Sequence, residues 1–490
     1  MIDLLILNIP GTFGNKPMAA PAVLKAVANQ QGFSAKTIDF NARYAHACKQ
    51  NQELTALEPF WTDQTSSLDL YQQASKLVQT WVAELEPYQA RYIGISVFTY
   101  QSRRAAEMFC AGIRQQLPSA KIILGGQGIP DGGINGSTEW LHKINNLDLV
   151  DHWVRSEGEQ AVIEILSGQA GKMVDHLSNA QITNLDSIPW PDYSDYNFDL
   201  YESKILPITG SRGCIRSCSF CDIHTHWPKF TWRSGEQIAN EMIGQSKRYG
   251  INSFQFTDSL VNGNQKEYRK MIGILAQYNQ TVDLPIKWTG QFILRPASSN
   301  DDEYYRLTAD SGAFNLAIGI ESGSELVRQH IGKEFSNADI DHAMVLMAQY
   351  RITCIFLLLI GYPTETVEDF ELTLDMIKRY SIYANTTLTE IEFGSTLAVL
   401  PGTPLEQMAN SLGLQLDTTH ENYWLASSNP TLDLKERLRR RFVARQTAES
   451  LGYKLGQDSH KEMLINMWTN YKSRPAQSVI KFARQIEFHA

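Results

Sequence analysis

Three of the six cysteines fall in one short stretch, Gly210-Ser211-Arg212-Gly213-Cys214-Ile215-Arg216-Ser217-Cys218-Ser219-Phe220-Cys221. The spacing is Cys-x3-Cys-x2-Cys. Thiolates are soft ligands that favour zinc or iron–sulfur clusters. Three close thiolates can hold three irons of a cubane and leave the fourth iron open. A closed zinc site needs a fourth ligand, which His224 or His226 could supply. The other cysteines, Cys48, Cys110 and Cys354, are scattered, and six in 490 residues is too sparse for a disulfide scaffold. The cysteine stretch therefore points to metal.

The elements around it set where such a site would sit. Strand signals at Ile205 to Thr209, Ser253 to Thr257, Ile286 to Thr289, Leu316 to Ile320, Cys354 to Ile360 and Glu390 to Leu397 alternate with helical stretches. Six strand–helix units predict a partial (β/α)6 barrel with chemistry at the carboxyl ends of its strands. The cysteine stretch follows the first of these strands directly. Upstream, residues 1–170 also alternate: strands at Leu4 to Ile9, Lys36 to Asp39, Tyr92 to Ser96, Lys121 to Leu124 and His152 to Arg155, with helices between. Near-continuously apolar strands separated by helices predict a doubly wound parallel sheet covered on both faces. Its ligand loops would be Asn8 to Gly14, Ser96 to Tyr100, Gly125 to Gly128 and Ser156 to Gly158. Gly125 and Gly126 would let backbone approach a bulky ligand; the plainer reading is a tight turn. No Gly-x-Gly-x-x-Gly follows the first strand, which leaves a nicotinamide dinucleotide with little support.

Between the two lies a linker, 171–204. Its stretch Leu185 to Tyr201 is rich in aspartate, proline and aromatics and is expected to run over a surface, with its aromatics anchored to the following domain. The barrel is expected over 205–405 and a mainly helical C-terminal region over 406–490. There, Lys435-Glu436-Arg437-Leu438-Arg439-Arg440-Arg441 reads as a solvated basic face. An acidic or phosphorylated substrate is the sharper alternative. The fold class is thus α/β throughout.

Composition removes other classes. With 43% hydrophobic and 20% charged residues the chain can build an ordinary core. Its 44 basic and 53 acidic residues give a net charge of −9, which argues against broad phosphate-driven binding to nucleic acid. The N-terminal apolar run carries Asp3 and no basic segment, and no run approaches a membrane span. A reducing cytoplasm is the expected compartment, with neither nucleic acid nor membrane as partner.

Cys-x3-Cys-x-Phe-Cys after a first barrel strand resembles the radical S-adenosylmethionine superfamily. So do Phe256-Thr257-Asp258-Ser259, Gly319-Ile320-Glu321-Ser322-Gly323 with Lys333, Ile360-Gly361-Tyr362-Pro363-Thr364-Glu365-Thr366, and Leu400-Pro401-Gly402-Thr403-Pro404. The set is similar to the subfamily with an N-terminal cobalamin-binding-like domain. Gly94-Ile95-Ser96, Gly125-Gly126 and Val154-Arg155-Ser156-Glu157-Gly158-Glu159 agree with it. The departure is in the first loop, Asn8-Ile9-Pro10-Gly11-Thr12-Phe13-Gly14. It has no histidine to ligate cobalt, as is common among radical members of the cobalamin group.

The resemblance implies that Cys214, Cys218 and Cys221 hold a 4Fe–4S cluster whose open iron chelates S-adenosylmethionine. It places Phe220 beside the adenine, Asp258 and Ser259 near the methionine moiety, and Glu321 and Ser322 near the ribose. For Glu321 the plainer reading is an ordinary barrel ion pair. Ser96, Gly125 and Gly126 would line a cobalamin site. The implied reaction is radical, cobalamin-dependent methyl transfer to an unactivated carbon of a small-molecule or peptide substrate. The implied electron donor is a low-potential protein of flavodoxin or ferredoxin type. The rivals are a cobalamin-independent radical reaction (cyclisation, rearrangement or aminocarboxypropyl transfer) and a non-catalytic metal- or cobalamin-binding module. A methylthiotransferase acting on transfer RNA fits poorly, because only Cys48 and Cys110 are available upstream for a second cluster.

Overall fold

The computed structural model describes residues 1–456 except 12–13, 63–66, 130–139, 141–142, 145–147, 156, 176–180, 395 and 417–423. Thr12, Phe13 and Ser156 of the expected ligand loops lie outside the described residues. The chain divides into two compact units, Met1–Ile208 and Thr209–Ala490.

The first unit is built on strands β1 (Ile2–Asn8), β2 (Ala35–Asp39), β3 (Ala90–Ser96), β4 (Lys121–Gly125), β5 (His152–Arg155) and β6 (Met173–Asp175). They form one sheet in the order β2-β1-β3-β4-β5-β6, every pairing parallel. Its helices include α1 (Ala19–Gln30), α2 (Phe40–Gln50), α3 (Leu68–Ala83), α4 (Arg103–Gln116) and α5 (Gly158–Leu166). Alternation along β1 explains the two covered faces. Leu5 and Leu7 enter one core with Ile93, Ile95, Phe109 and Trp81, while Leu4 and Ile6 enter the other with Val27, Tyr92 and Val162. Successive side chains of a strand point to opposite faces, so a strand apolar at every position must be buried on both. The strand order turns back between β1 and β3, which places the ligand crevice at Asn8 and Ser96.

The aspartate-rich stretch corrects the expectation that its aromatics anchor to the following domain: it docks on the first unit. Lys25 of α1 is buried and pairs with Asp195 at 2.6 Å and Asp192 at 3.2 Å. Asp195 also accepts from the backbone N–H of Thr37 on the edge strand β2, at 3.0 Å. Tyr201 donates to Asp39 at 2.7 Å and Tyr196 to the Met18 carbonyl at 3.2 Å. An edge strand presents unpaired backbone groups, and this stretch supplies partners for one of them.

The division falls at the end of β7 (Ile205–Ile208). In the second unit, β8 (Ser211–Arg212) and β9 (Thr231–Trp232) form a short antiparallel ribbon. β10 (Ser253–Phe256) pairs in parallel with β11 (Lys287–Thr289). β12 (Gln291–Phe292), β13 (Leu316–Glu321), β14 (Cys354–Leu358) and β15 (Leu388–Phe393) continue as a parallel sheet, which β18 (Lys454–Leu455) extends. A hairpin of β16 (Leu414–Leu416) and β17 (Trp424–Ala426) precedes that last strand. Helices α6 (Gly235–Tyr249), α7 (Gln265–Asn279), α8 (Asp302–Asp310), α9 (Glu325–Ile331), α10 (Asn337–Gln349) and α11 (Val367–Arg379) lie between the strands, and α12 (Leu434–Ser450) follows the hairpin. Polar caps start them: Ser324, Ser336, Thr366 and Asp433 each accept a backbone N–H of the first turn. Among the described residues no helix is long and apolar enough to cross a membrane.

The arginines of α12 overturn the expected solvated face. Arg437, Arg440 and Arg441 are buried. Arg437 lies 3.8 Å from the ring centroid of Trp424 and donates to that residue's carbonyl. Arg440 donates to the carbonyls of Glu365 and Thr366 and pairs with the Glu365 carboxylate at 2.9 Å. Arg441 donates to the Phe393 carbonyl at the end of β15. A guanidinium has five donors in a planar fork, enough to serve several carbonyls and a carboxylate at once.

Candidate cluster-binding and cofactor site

The ribbon β8/β9 closes the base of the cysteine loop. Gly213 has φ +81°, and a Cβ there would lie 2.7 Å from the Lys229 carbonyl oxygen, so this turn requires glycine. Cys218 is buried, Cys214 and Cys221 are half-buried, and all three are free thiols. Burial pushes each thiol up, Cys221 to about 11; for Cys214 and Cys218 the positive charges of Lys333 and Arg216 pull the other way. Buried thiolates without a metal are costly, and coordination to a cation supplies the missing stabilisation. Among the described residues no three His, Cys, Asp or Glu side chains converge on a single ion position. A cubane is held at separate corners and needs no such convergence. The two histidines that could have closed a zinc site are engaged elsewhere: His224 Nε2 lies 2.8 Å from the Arg216 carbonyl, and His226 Nε2 lies 3.6 Å from Asp222. The donor set fits an iron–sulfur cluster.

Glu321 and Lys333 are brought to this loop. The β13/β14 register shifts between Gly319 and Glu321, and Glu321 has φ +67°, a strained value for a residue with a side chain. The bulge turns the carboxylate toward Lys333, whose Nζ lies 2.9 Å from Oε1 and 3.1 Å from the Gly319 carbonyl. A Cβ on Gly319 would lie 2.6 Å from that Oε1, so glycine there makes room for the pair. Burial works against the Lys333 charge, but Glu321, Cys218 and Cys214 outweigh it and raise its pKa. Lys333 was visible in the sequence, but nothing in its spacing assigned it a partner. Arg216, also unassigned, pairs with Glu334.

The remaining site residues have other neighbours. Asp258 is buried with both oxygens occupied: Oδ2 accepts from the Gly210 N–H at 2.8 Å and Oδ1 from the Ser211 hydroxyl at 2.6 Å. It ties the entry of the cysteine loop to the end of β10. Ser259 is exposed. Ser322 is buried, its hydroxyl 3.2 Å from that of Thr373 and accepting from the Ser324 N–H. Phe220 is half-buried and packs with Cys221 against a cluster containing Cys218, Ile331, Tyr362 and Leu405.

Burial pushes the Asp258 carboxyl up to about 7, against the hydrogen bonds from Ser211 and Gly210. A raised carboxyl pKa contributes stability that is complete below its unfolded value of about 4 and is lost as pH rises through the folded value. Glu365, raised by burial to about 7 against the pull of Arg440, titrates in the same window. We expect Asp258→Asn to make the fall in stability between about pH 4 and 7 shallower, with Glu365 and the other raised carboxylates, Asp39, Glu241 and Glu390, accounting for the remainder. Urea unfolding at several pH values reads it; an unchanged slope would refute the assignment.

In the first unit Ser96 is half-buried at the end of β3 and Gly125 ends β4. Gly126 has φ +120°, and a Cβ there would lie 2.4 Å from the Val97 carbonyl oxygen. Gly128 is just as tight against Thr99, at 2.4 Å. These glycines let two crevice loops touch each other. Asn8, 2% exposed, donates to Asp39 at 3.0 Å, and its side-chain oxygen is buried without a hydrogen-bond partner. A crevice at the switch point, glycine-built loops and an orphaned acceptor at its base fit a large cofactor such as a corrin.

Residues 208–377 match the family model described as the radical SAM superfamily. An uncharacterised methyltransferase of Pyrococcus horikoshii is 26% identical over 311 residues, 62% of this chain and 63% of that protein. Across four curated relatives the chain's match spans between 33% and 63% of their length. The methyltransferase TsrM from Kitasatospora setae, solved with cobalamin and a [4Fe-4S] cluster, matches with TM-score 0.59 and 16% identity over 99% of both chains. The cobalamin-dependent radical enzyme OxsB, solved with aqua-cobalamin and S-adenosylmethionine, matches with TM-score 0.66 and 14% identity, over 100% of this chain and 75% of that one. These likenesses show the fold. Residues 208–377 are a radical S-adenosylmethionine domain, and its cofactors are a 4Fe–4S cluster and S-adenosylmethionine.

Proposed function

We propose that the protein is a cobalamin-dependent radical S-adenosylmethionine methyltransferase acting on an unactivated carbon of a small-molecule or peptide substrate. The observation that carries this reading is the union in one chain of a doubly wound unit and a cysteine-loop domain, a combination shared with structures holding cobalamin. When bound, the reduced cluster supplies the electron that breaks a carbon–sulfur bond of S-adenosylmethionine, and the corrin supplies the methyl group.

In this reading Cys214, Cys218 and Cys221 hold the cluster and Phe220 lies beside the adenine. The ion pair of Glu321 with Lys333 sits next to Cys218, where a carboxylate can bond ribose hydroxyls and an ammonium can balance thiolate charge. Asp258 and Ser322 hold their loops in place. Ser96, Gly125 and Gly126 border the corrin. The electron comes from a low-potential flavodoxin or ferredoxin in a reducing cytoplasm, and the net charge of −9 disfavours nucleic acid as substrate.

The test is anaerobic. Cluster-loaded protein with a strong reductant should convert S-adenosylmethionine to deoxyadenosine, and a true substrate should gain the mass of one methyl group. Methylthioadenosine instead would transfer the reading to aminocarboxypropyl chemistry. Product of unchanged mass would mean rearrangement, and no turnover of S-adenosylmethionine would favour a binding module.

A further inference from the structure

Ser219 lies between the second and third cysteines and is 3% exposed. Each of its polar groups is bonded to a different part of the fold. Its N–H donates to the Ile331 carbonyl at 2.8 Å, at the end of α9. Its carbonyl accepts from the Leu405 N–H at 2.7 Å, in the segment after β15. Its hydroxyl lies 2.9 Å from that of Tyr362, in the loop after β14. Tyr362 is 1% exposed, and its own hydroxyl lies 3.2 Å from the His330 carbonyl. A carbonyl can only accept, so Tyr362 donates to His330 and Ser219 donates to Tyr362.

The support behind Tyr362 is equally tight. Gly361 has φ +86°, and a Cβ there would lie 2.7 Å from the Arg437 side chain on α12. The ring packs in one apolar cluster with Cys218, Val327, Ile331 and Leu405. The middle of the cysteine loop is thereby held between α9, the β14 loop and the segment after β15, while Cys214 and Cys221 at its ends stay half-buried.

We propose that Tyr362 is a positioning residue for the cluster: through Ser219 it fixes the Cys218–Cys221 arc and so the orientation of the cluster's ligands. The proposal rests on the reading that the three cysteines hold a 4Fe–4S cluster. The two hydroxyls contribute no ligand. Their effect is to remove the freedom of the arc to rotate when a thiolate bond breaks. Ligand orientation and the groups that set it tune a metal site's spectrum and its retention.

The test uses the full-length protein, reconstituted anaerobically, with Tyr362→Phe, Ser219→Ala and the double variant. The ring and its packing stay in the first, and the second removes one oxygen. Each single variant should melt near wild type as apoprotein and bind iron at wild-type stoichiometry. Each should shift or broaden the paramagnetic spectrum of the reduced cluster and lose iron to a chelator roughly fivefold to tenfold faster, the scale of one buried hydrogen bond. The double variant should be no worse than Tyr362→Phe, which already breaks the Ser219 contact along with the bond to His330. Spectra and iron loss identical to wild type in folded single variants would overturn the proposal. Additive effects in the double variant would overturn it too. If Tyr362→Phe fails to fold, Ser219→Ala decides alone. Wild-type protein that takes up no iron would sink the cluster reading itself, and the proposal with it.

Discussion

Cys214, Cys218 and Cys221 replaced together by alanine give a protein without iron, whereas wild type carries iron and sulfide at about four each per chain. The same replacement at Cys48, Cys110 or Cys354 leaves the iron in place. The distinction follows from position. The first three share one loop, half-buried or better, beside the charges of Lys333 and Arg216. Cys110 and Cys354 are fully buried among apolar side chains on α4 and β14, where burial drives their thiols far up, for Cys110 against a pull from Arg114. A thiol in such a setting is a small hydrophobe and no ligand. Their removal costs packing, on the order of 1 kcal/mol each, and no metal. Metal analysis and visible absorption after anaerobic reconstitution make the measurement. Stoichiometric zinc without iron in the wild type would overturn the cluster.

Gly126→Val should unfold the crevice loops of the first unit and abolish corrin binding together. The backbone there is in a region that side chains rarely adopt, and the new Cβ would lie 2.4 Å from the Val97 carbonyl oxygen. Strain and overpacking each cost roughly 1–3 kcal/mol, and here they add. Gly125→Ala is the contrast: its Cβ would meet Val154 at an ordinary 3.5 Å, so the fold should hold. Hydroxocobalamin titration beside a thermal melt separates the two effects. Iron content should not change in either variant, because the cysteine loop belongs to the other unit. With no histidine in the first loop, bound cobalt should show no protein imidazole coupling. Gly126→Val with a wild-type melt would mean that the glycine serves only the cofactor. Wild-type protein that binds no corrin and keeps its activity would reduce the first unit to a scaffold.

Much of this was legible without coordinates, because it rests on short-range patterns. The cysteine spacing and the apolar strands of both sheets are properties of neighbouring residues, and burial only ratifies them. The strand ends predicted to carry chemistry are where Asp258, Glu321 and the cysteine loop lie. Short strands escaped notice for the same reason: β6, β12 and β18 are two or three residues long, too few to show a period.

What the tertiary structure decided depends on residues far apart in sequence. Glu321 meets Lys333 because a register shift re-aims one strand residue, and no local pattern reports a register. Asp258 holds Gly210 and Ser211 because β10 delivers it beside a loop 47 residues earlier. The arginines of α12 read as a wet face because charge alone suggests water; they are buried because they reach the Glu365 and Thr366 carbonyls at the start of α11, the Glu365 carboxylate and the Phe393 carbonyl at the end of β15. Gly126 looked like space for a ligand and is in part a contact between two loops, since only the fold brings Val97 against it. A residue's type states what it can bond to; which of its possible partners it meets is set by how distant segments pack, and that is where sequence alone stopped for this protein.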